Sequence, residues 1–276
     1  MRLGVSTWCF RNEPVFQALE RISSLGVQYV ELFANTFHLD PRVGKTDVRE
    51  LASLLKDGNL TAVSLHMPFA GIPGNRSESF VLNAWLGLVE ECLPIVAGLR
   101  IPAVVIHPQF RTSERAGPSA ILETVGVVLE DLLPKVRDIG SRVLLENLPS
   151  FMFSGFWESR HFREWFGRVN QPEIGMCFDV SHCIGSGLDV FEEIRSCLSW
   201  VREIHMSDNR MRSGVDLHLP VQRGSTDWRS FLALLRDAGF DGDLILEIDG
   251  GNDAQETVRG SITMIRGLLE DLPGRR

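Results

Sequence analysis

Short apolar runs alternate with longer amphipathic ones along this chain. The runs near 3–8, 28–33, 61–66, 103–107, 142–147, 174–179, 202–206 and 243–248 are rich in Val, Ile and Leu. Apolar runs of that length predict parallel strands, which are buried on both faces. Between them apolar residues recur at helical spacing, predicting helices over about 14–25, 46–57, 77–98, 118–138, 160–169, 190–199, 227–238 and 254–272. In the seventh, Trp228, Phe231, Leu232, Leu235 and Ala238 make one apolar face. Asp227 stands at its start as N-cap or first-turn acid, and Gly239 ends it. The first helix is expected to stop at Gly26, and the second to start near Asp47 and stop at Gly58.

Eight strand–helix units in alternation predict one α/β domain over residues 1–276, a single (β/α)8 TIM barrel. An open doubly wound sheet would carry a glycine-rich phosphate loop after its first strand. Here that turn reads Trp8-Cys9-Phe10-Arg11-Asn12. No linker or low-complexity segment divides the chain. The longest irregular stretches, 67–76, 148–159 and 207–226, all follow strands, where a barrel keeps its active-site loops.

Six of the apolar runs end on a residue able to bind a metal. These are His66, His107, Glu146, Asp179, His205 and Glu247. A polar side chain at the end of a buried strand is costly unless something there uses it. One such ending would read as a loop cap or a salt bridge with an arginine. Six predict a shared mouth at one end of the barrel. Glu146, Asp179, His205 and Glu247 close strands five to eight, and three carboxylates with one imidazole suit Mn²⁺, Mg²⁺, Co²⁺ or Zn²⁺. Of seven histidines, His66, His107, His182, His205 and His218 fall in or just after strand-end segments. His38 and His161 do not and read as surface or loop residues.

Composition narrows the partners. With 44% hydrophobic and 23% charged residues the chain is ordinary globular protein. A net charge of -8 disfavours a general nucleic-acid binder, which needs a basic face for phosphates. The five cysteines form no CxxC pair and read as buried thiols in a reducing compartment. No signal peptide opens the chain, and no uncharged apolar run approaches the ~20 residues of a membrane span. The expectation is a soluble cytoplasmic protein without a membrane partner, with a homo-oligomer left open.

Several segments together are similar to the xylose-isomerase-like TIM barrels, a superfamily of sugar isomerases and epimerases that also holds the endonuclease IV type of abasic-site nuclease. They are Val30-Glu31-Leu32, His66, His107-Pro108, Leu145-Glu146-Asn147, Phe178-Asp179-Val180-Ser181-His182, His205-Met206-Ser207-Asp208, Asp216-Leu217-His218-Leu219-Pro220 with Gly224 and Asp227-Trp228, and Leu246-Glu247. The resemblance covers essentially the whole chain and specifies the superfamily better than the reaction.

The isomerase branch implies a sugar or sugar-like polyol or keto acid as substrate. One ion would be held by Glu146, Asp179, His205 and Glu247 and would stabilise an enediolate. Glu146 and Glu247 would exchange the proton next to the carbonyl. His182 and His107 would bind hydroxyls, and one of Arg210, Arg212 or Arg223 an outer oxygen or phosphate. Dehydratase chemistry begins with the same proton abstraction. The nuclease branch implies three zinc ions, with His66, His107, Glu146, Asp179, His182, His205, Asp216, His218 and Glu247 all in place. Against it, its Asp-Thr-Cys-His run reads Asp179-Val180-Ser181-His182 here, and its His-x-Asn-Asp-Ser reads His205-Met206-Ser207-Asp208-Asn209.

Overall fold

In the computed structural model, residues 1–42, 45–69, 78–108, 118–152, 155–169 and 171–272 are described. Most of the expected loop over 67–76 and the expected helix start at 77 lie outside them. Eight strands form a closed parallel barrel in sequence order. They are β1 (Arg2–Ser6), β2 (Tyr29–Phe33), β3 (Thr61–His66), β4 (Ala103–Ile106), β5 (Arg142–Glu146), β6 (Ile174–Asp179), β7 (Val201–Met206) and β8 (Asp243–Leu246). The helices are α1 (Val15–Ser24), α2 (Val48–Asp57), α3 (Glu78–Leu99), α4 (Pro118–Asp138), α5 (Ser159–Arg168), α6 (Val180–Gly185), α7 (Val190–Cys197), α8 (Trp228–Asp237) and α9 (Ala254–Glu270). This is the single (β/α)8 TIM barrel that the alternation predicts.

The helix ends follow local chemistry. Asp47 caps α2 by accepting the backbone N–H of Arg49 at 2.8 Å, and Asp227 caps α8 by accepting that of Ser230 at 3.1 Å. Gly26 and Gly239 take the left-handed turn after α1 and α8, at φ +69° and +75°. The turn after α2 differs from expectation. Gly58 keeps an ordinary helical φ and Asn59 takes the left-handed position, which asparagine tolerates. The first strand also ends early. Ser6 accepts the N–H of Trp8 at 3.2 Å, turning Thr7–Phe10 into a 3₁₀ helix.

Alternation along each strand splits the core in two. Val104 and Ile106 of β4, Val143 and Leu145 of β5, and Met176 and Phe178 of β6 join the large core between barrel and helices. Ala103, Val105, Leu144 and Cys177 form a small cluster apart from it, inside the barrel. The longest apolar stretch, Leu82–Leu99 within α3, is broken by Glu90 and Glu91 and lays Trp85, Val89, Cys92, Ile95 and Val96 on the core. All five cysteines are free and buried.

His161 is a correction to the sequence reading, and His38 meets it only as a loop residue. His38 does sit in a loop, but it is buried and bonds the Glu13 carbonyl through Nδ1. His161 lies on α5, also buried, where its Nδ1 accepts the N–H of Glu158 at 3.3 Å. Burial lowers the pKa of both imidazoles.

Candidate active site

The alternation that packs the barrel also aims the acids. Leu144 and Cys177 point inward, so Glu146 and Asp179, two residues on, point inward at the C-terminal mouth. His205 follows the inward Glu203, and Glu247 follows Ile245, whose Cδ1 occupies space beside Gly4. Glu146, Asp179, His205 and Glu247 bring one ligand atom each within 4.8 Å of one another, and all four are buried. His205 Nδ1 is the centre of this group. It lies 3.3 Å from Glu146 Oε1, 3.0 Å from Glu247 Oε2 and 3.9 Å from Asp179 Oδ2.

These short approaches are not hydrogen bonds. Glu146 Oε1, Asp179 Oδ2 and His205 Nδ1 are buried without a hydrogen-bond partner. Lone pairs converging on one point without a donor between them fit a cation. The other atoms of the same residues are held. Asn147 clamps the Asp179 backbone, accepting its N–H at 2.7 Å and donating to its carbonyl at 2.8 Å. Asp179 Oδ1 accepts the N–H of His182 at 2.6 Å, making Asp179 the cap of α6. That short helix, unforeseen in the sequence, turns His182 back over the mouth. The donor set and its orphaned atoms therefore fit a divalent ion.

Of three further ligand groups among the described residues, one (Cys177, Glu203 and His205) lies beneath the first and two flank it. In one, His66 Nε2 and His107 Nε2 lie 3.0 Å and 3.1 Å from Glu146 Oε2. In the other, Asp179, His182 and His218 bring ligand atoms within 4.8 Å. Asp216, with 30% of its side chain exposed, joins His182 Nε2 at 3.4 Å to His218 Nε2 at 3.0 Å. His66, His182 and His218 each turn Nδ1 to a backbone carbonyl, those of Met67, Asn147 and Glu247, at 2.8–2.9 Å. A ring fixed in that way presents Nε2 to the site, the usual arrangement behind a metal-binding histidine.

Charges in the mouth are strongly coupled. Burial raises carboxylate pKa values, yet the His205 charge holds Glu146 well below the usual range and likewise depresses Glu247. Burial and the Glu146 and Glu247 charges push Asp179 up to about 6. His66 overcomes its burial through Glu146 and rises to about 9, whereas burial keeps His107 low. Asp216, His182's and His218's shared partner, is held well below its ordinary value against burial by those two imidazoles.

The loop after β7 supplies Asp216 and His218 and is pinned by Asp208. Asp208 Oδ1 accepts from the N–H of Asn209 at 3.0 Å and from Thr226 N–H and Oγ1 at 3.2 Å and 2.8 Å. Its Oδ2 accepts Trp228 Nε1 at 3.1 Å. Gly224 crosses this carboxylate so closely that a Cβ would lie 2.3 Å from both Asp208 Oδ1 and the Asn209 carbonyl. His218 takes a left-handed backbone, φ +40°, to face the mouth. Arg210, Arg212 and Arg223 are exposed on this loop, and Arg212 lies along Gly187.

The sequence reading passed over Glu31, Glu203, Asn147, Trp8 and Asp208 as site residues. Glu31 is an acid at an inward position of an otherwise apolar strand, a signal available in the sequence, whereas Glu203 stands beside Arg202. The Trp8 ring packs 4.9 Å from the His218 ring under Arg11, whose guanidinium lies 3.8 Å from the indole. Phe33 and Phe69 sit against His66, with ring centroids 5.7 Å and 5.2 Å away. Nothing local in the sequence marks these rim contacts, because they join distant segments.

Comparison with known proteins agrees with this architecture. An uncharacterized protein of Methanocaldococcus jannaschii is 22% identical over 258 residues, 92% of this chain and 86% of its own. A probable endonuclease 4 of Bifidobacterium longum subsp. infantis is 23% identical over 252 residues, 84% of each chain. Among solved structures, a D-tagatose 3-epimerase-like protein superposes with a TM-score of 0.80 at 19% identity, covering 98% of this chain and all of its own. A D-psicose 3-epimerase and an L-ribulose 3-epimerase superpose with TM-scores of 0.77 and 0.76, each at 16% identity and covering 98% of this chain. Residues 19–268 match the description of the xylose isomerase-like TIM barrel, and the chain belongs to that family.

Proposed function

We propose that this chain is a divalent-metal isomerase or epimerase of a small polyhydroxylated ketone, moving a proton at the carbon next to the carbonyl. The observation that carries this reading is the pair Glu146 and Glu247. They come from β5 and β8 and approach the same ring nitrogen, His205 Nδ1, at 3.3 Å and 3.0 Å. Of two buried carboxylates facing one point, one in its ionised form takes the α-proton, and either that same group, now protonated, or the other in its protonated form returns one. An ion held by Glu146, Asp179, His205 and Glu247 would polarise the carbonyl and acidify the neighbouring C–H. His66 and His107 hold Glu146 Oε2, which leaves Oε1 turned to the centre. Glu247 is held less: among the described residues its Oε2 pairs with His205 at 3.0 Å and with His218 at 3.9 Å, so it is the freer base. His182 and His107 stand beside the acids to bind hydroxyls. The wall of Trp8, Phe33 and Phe69 excludes water from the C–H.

Incubation of the Mn²⁺-loaded protein in D₂O with a panel of ketoses, D-fructose, D-tagatose and D-psicose among them, tests this. Deuterium is expected at the carbon next to the carbonyl, read by NMR, and is expected to fall away on chelation. No incorporation into any member of the panel sinks the proposal.

A second reading, a zinc phosphodiesterase acting on abasic DNA, is favoured by one specific observation. The central ligand group shares Glu146 with the His66–His107 group and Asp179 with the His182–His218 group, and the shared residues could bridge ions. Metal content separates the two. One tightly bound ion per chain supports proton transfer; three zinc ions with cleavage of an abasic-site oligonucleotide support hydrolysis. Asp216→Asn sharpens the count. It is expected to leave the single ion of the first reading in place, and to remove one of three in the second.

A further inference from the structure

The ring of His205 is set differently from its neighbours. His66, His182 and His218 are turned by backbone carbonyls at Nδ1. His205 is inverted, with Nδ1 in the mouth and Nε2 pointing down the barrel. There Nε2 lies 3.2 Å from Glu31 Oε2 and 3.4 Å from Glu203 Oε1. Both acids are fully buried beneath the mouth, in an interior otherwise filled by apolar side chains and Ser64. Ser64 Oγ donates to Glu31 Oε2 at 3.4 Å. Glu31 Oε1 and both oxygens of Glu203 have no hydrogen-bond partner.

A barrel floor built for stability alone would carry aliphatic side chains at these positions. Replacing buried ionic groups by apolar ones of similar volume is often neutral or stabilising. The two acids therefore act on something, and among the described residues the group that both of them reach is the imidazole above them. We infer that Glu31 and Glu203 are positioning residues that hold His205 as the Nε2–H tautomer and so keep its Nδ1 lone pair turned into the mouth. Glu31 Oε2 accepts from Nε2–H, with the Glu203 carboxylate 3.4 Å from the same nitrogen, so the lone pair must lie on Nδ1. That nitrogen is the one between Glu146, Asp179 and Glu247. A carboxylate behind a ligand histidine also raises its donor strength. The inference rests on His205 being a ligand, and it adds residues that touch neither ion nor substrate.

The test uses zinc affinity and the His205 ring, not turnover. Zinc binding is measured by competition with a chromogenic chelator on the metal-stripped wild type, Glu31→Leu, Glu203→Leu, the double variant and Glu203→Gln. Leucine removes the acceptor and keeps the volume. Affinity is expected to fall ~10–100-fold in the leucine variants, while the thermal midpoint of the stripped protein holds or rises. Glu203→Gln keeps a carbonyl acceptor and is expected to recover most of the loss. In zinc-loaded wild type, ¹⁵N spectra of the imidazoles should show a His205 proton bonded to Nε2 and a metal-shifted Nδ1. In the double variant that proton should exchange freely. Unchanged affinity and unchanged His205 resonances in the double variant overturn the inference. So does a loss of affinity that follows an equal loss of thermal stability and is not rescued by glutamine. A wild type that binds no zinc overturns the ligand assignment itself, and with it this inference. Ketose inactivity with intact zinc binding touches only the proposed reaction.

Discussion

Glu247→Gln is expected to slow deuterium exchange on a ketose by about 10²–10⁴-fold, the range of a lost general base. The glutamine carbonyl still offers an oxygen to an ion, but it takes no proton from carbon. Glu247 Oε2 is 3.0 Å from His205 Nδ1, so some loss of metal affinity is also expected. The ion content must be measured on the same sample. With the ion retained, a slowed exchange assigns the proton to Glu247. With the ion lost, the result reports a ligand only. Exchange at the wild-type rate, ion in place, removes the two-glutamate mechanism. Glu146→Gln is the harsher partner. Glu146 Oε2 meets both His66 and His107, and a glutamine cannot accept from both rings while turning its one oxygen to the centre.

Strand alternation made the barrel and its mouth readable before any coordinates. Apolar runs ending on Glu146, Asp179 and His205 sit in register, Asp179 opposite His205 and Glu146 opposite Cys177. A period of two carries the inward direction from one layer of the barrel to the next, so a polar residue ending such a run points into the mouth. The metal-ligand chemistry was readable for the same reason. The short helix α6 was not, because its six residues are too few for a helical period. It forms because Asp179 caps it from the strand that precedes it. The two floor acids were missed for a different reason. Glu203 lies among Val201, Arg202 and Ile204, and read alone its position suggests an edge charge. Only the closed barrel brings β2 against β7's side chains and sets Glu31 beside the ring of His205. The Glu203 pKa is raised by burial and by the Glu31 charge, a cost that a sequence window cannot register.

The barrel strands build the central ligand group, but the loop after β7 brings Asp216 and His218 to it, and Asp208 decides whether that loop stays folded. Asp208→Ala removes the acceptor of two backbone N–H groups, the Thr226 hydroxyl and the Trp228 indole at once. Hydrogen bonds to a buried charge are worth ~1.5–3 kcal/mol each and do not add fully. A loss of about 3 kcal/mol or more is expected, or roughly 6–12 °C in melting temperature for a chain of this size. Asp208→Asn keeps one acceptor oxygen and should fall between. The functional consequence separates loop from barrel. Glu146, Asp179 and His205 lie on strands and Glu247 just after one, and among the described residues the Asp208 carboxylate bonds only within its own loop and the start of α8, so the variant should still bind one ion there. Whatever depends on Asp216 and His218 should fail first, a second ion in the hydrolase reading or the outer contacts of a ketose in the isomerase reading. That failure would appear as a raised KM with kcat less affected, since remote contacts contribute to binding before chemistry. A melting temperature within about 2 °C of wild type, the range of an uninvolved surface change, would show that the loop is held by other contacts. Loss of the strand-borne ion together with the loop would show that the two halves of the site fold as one unit.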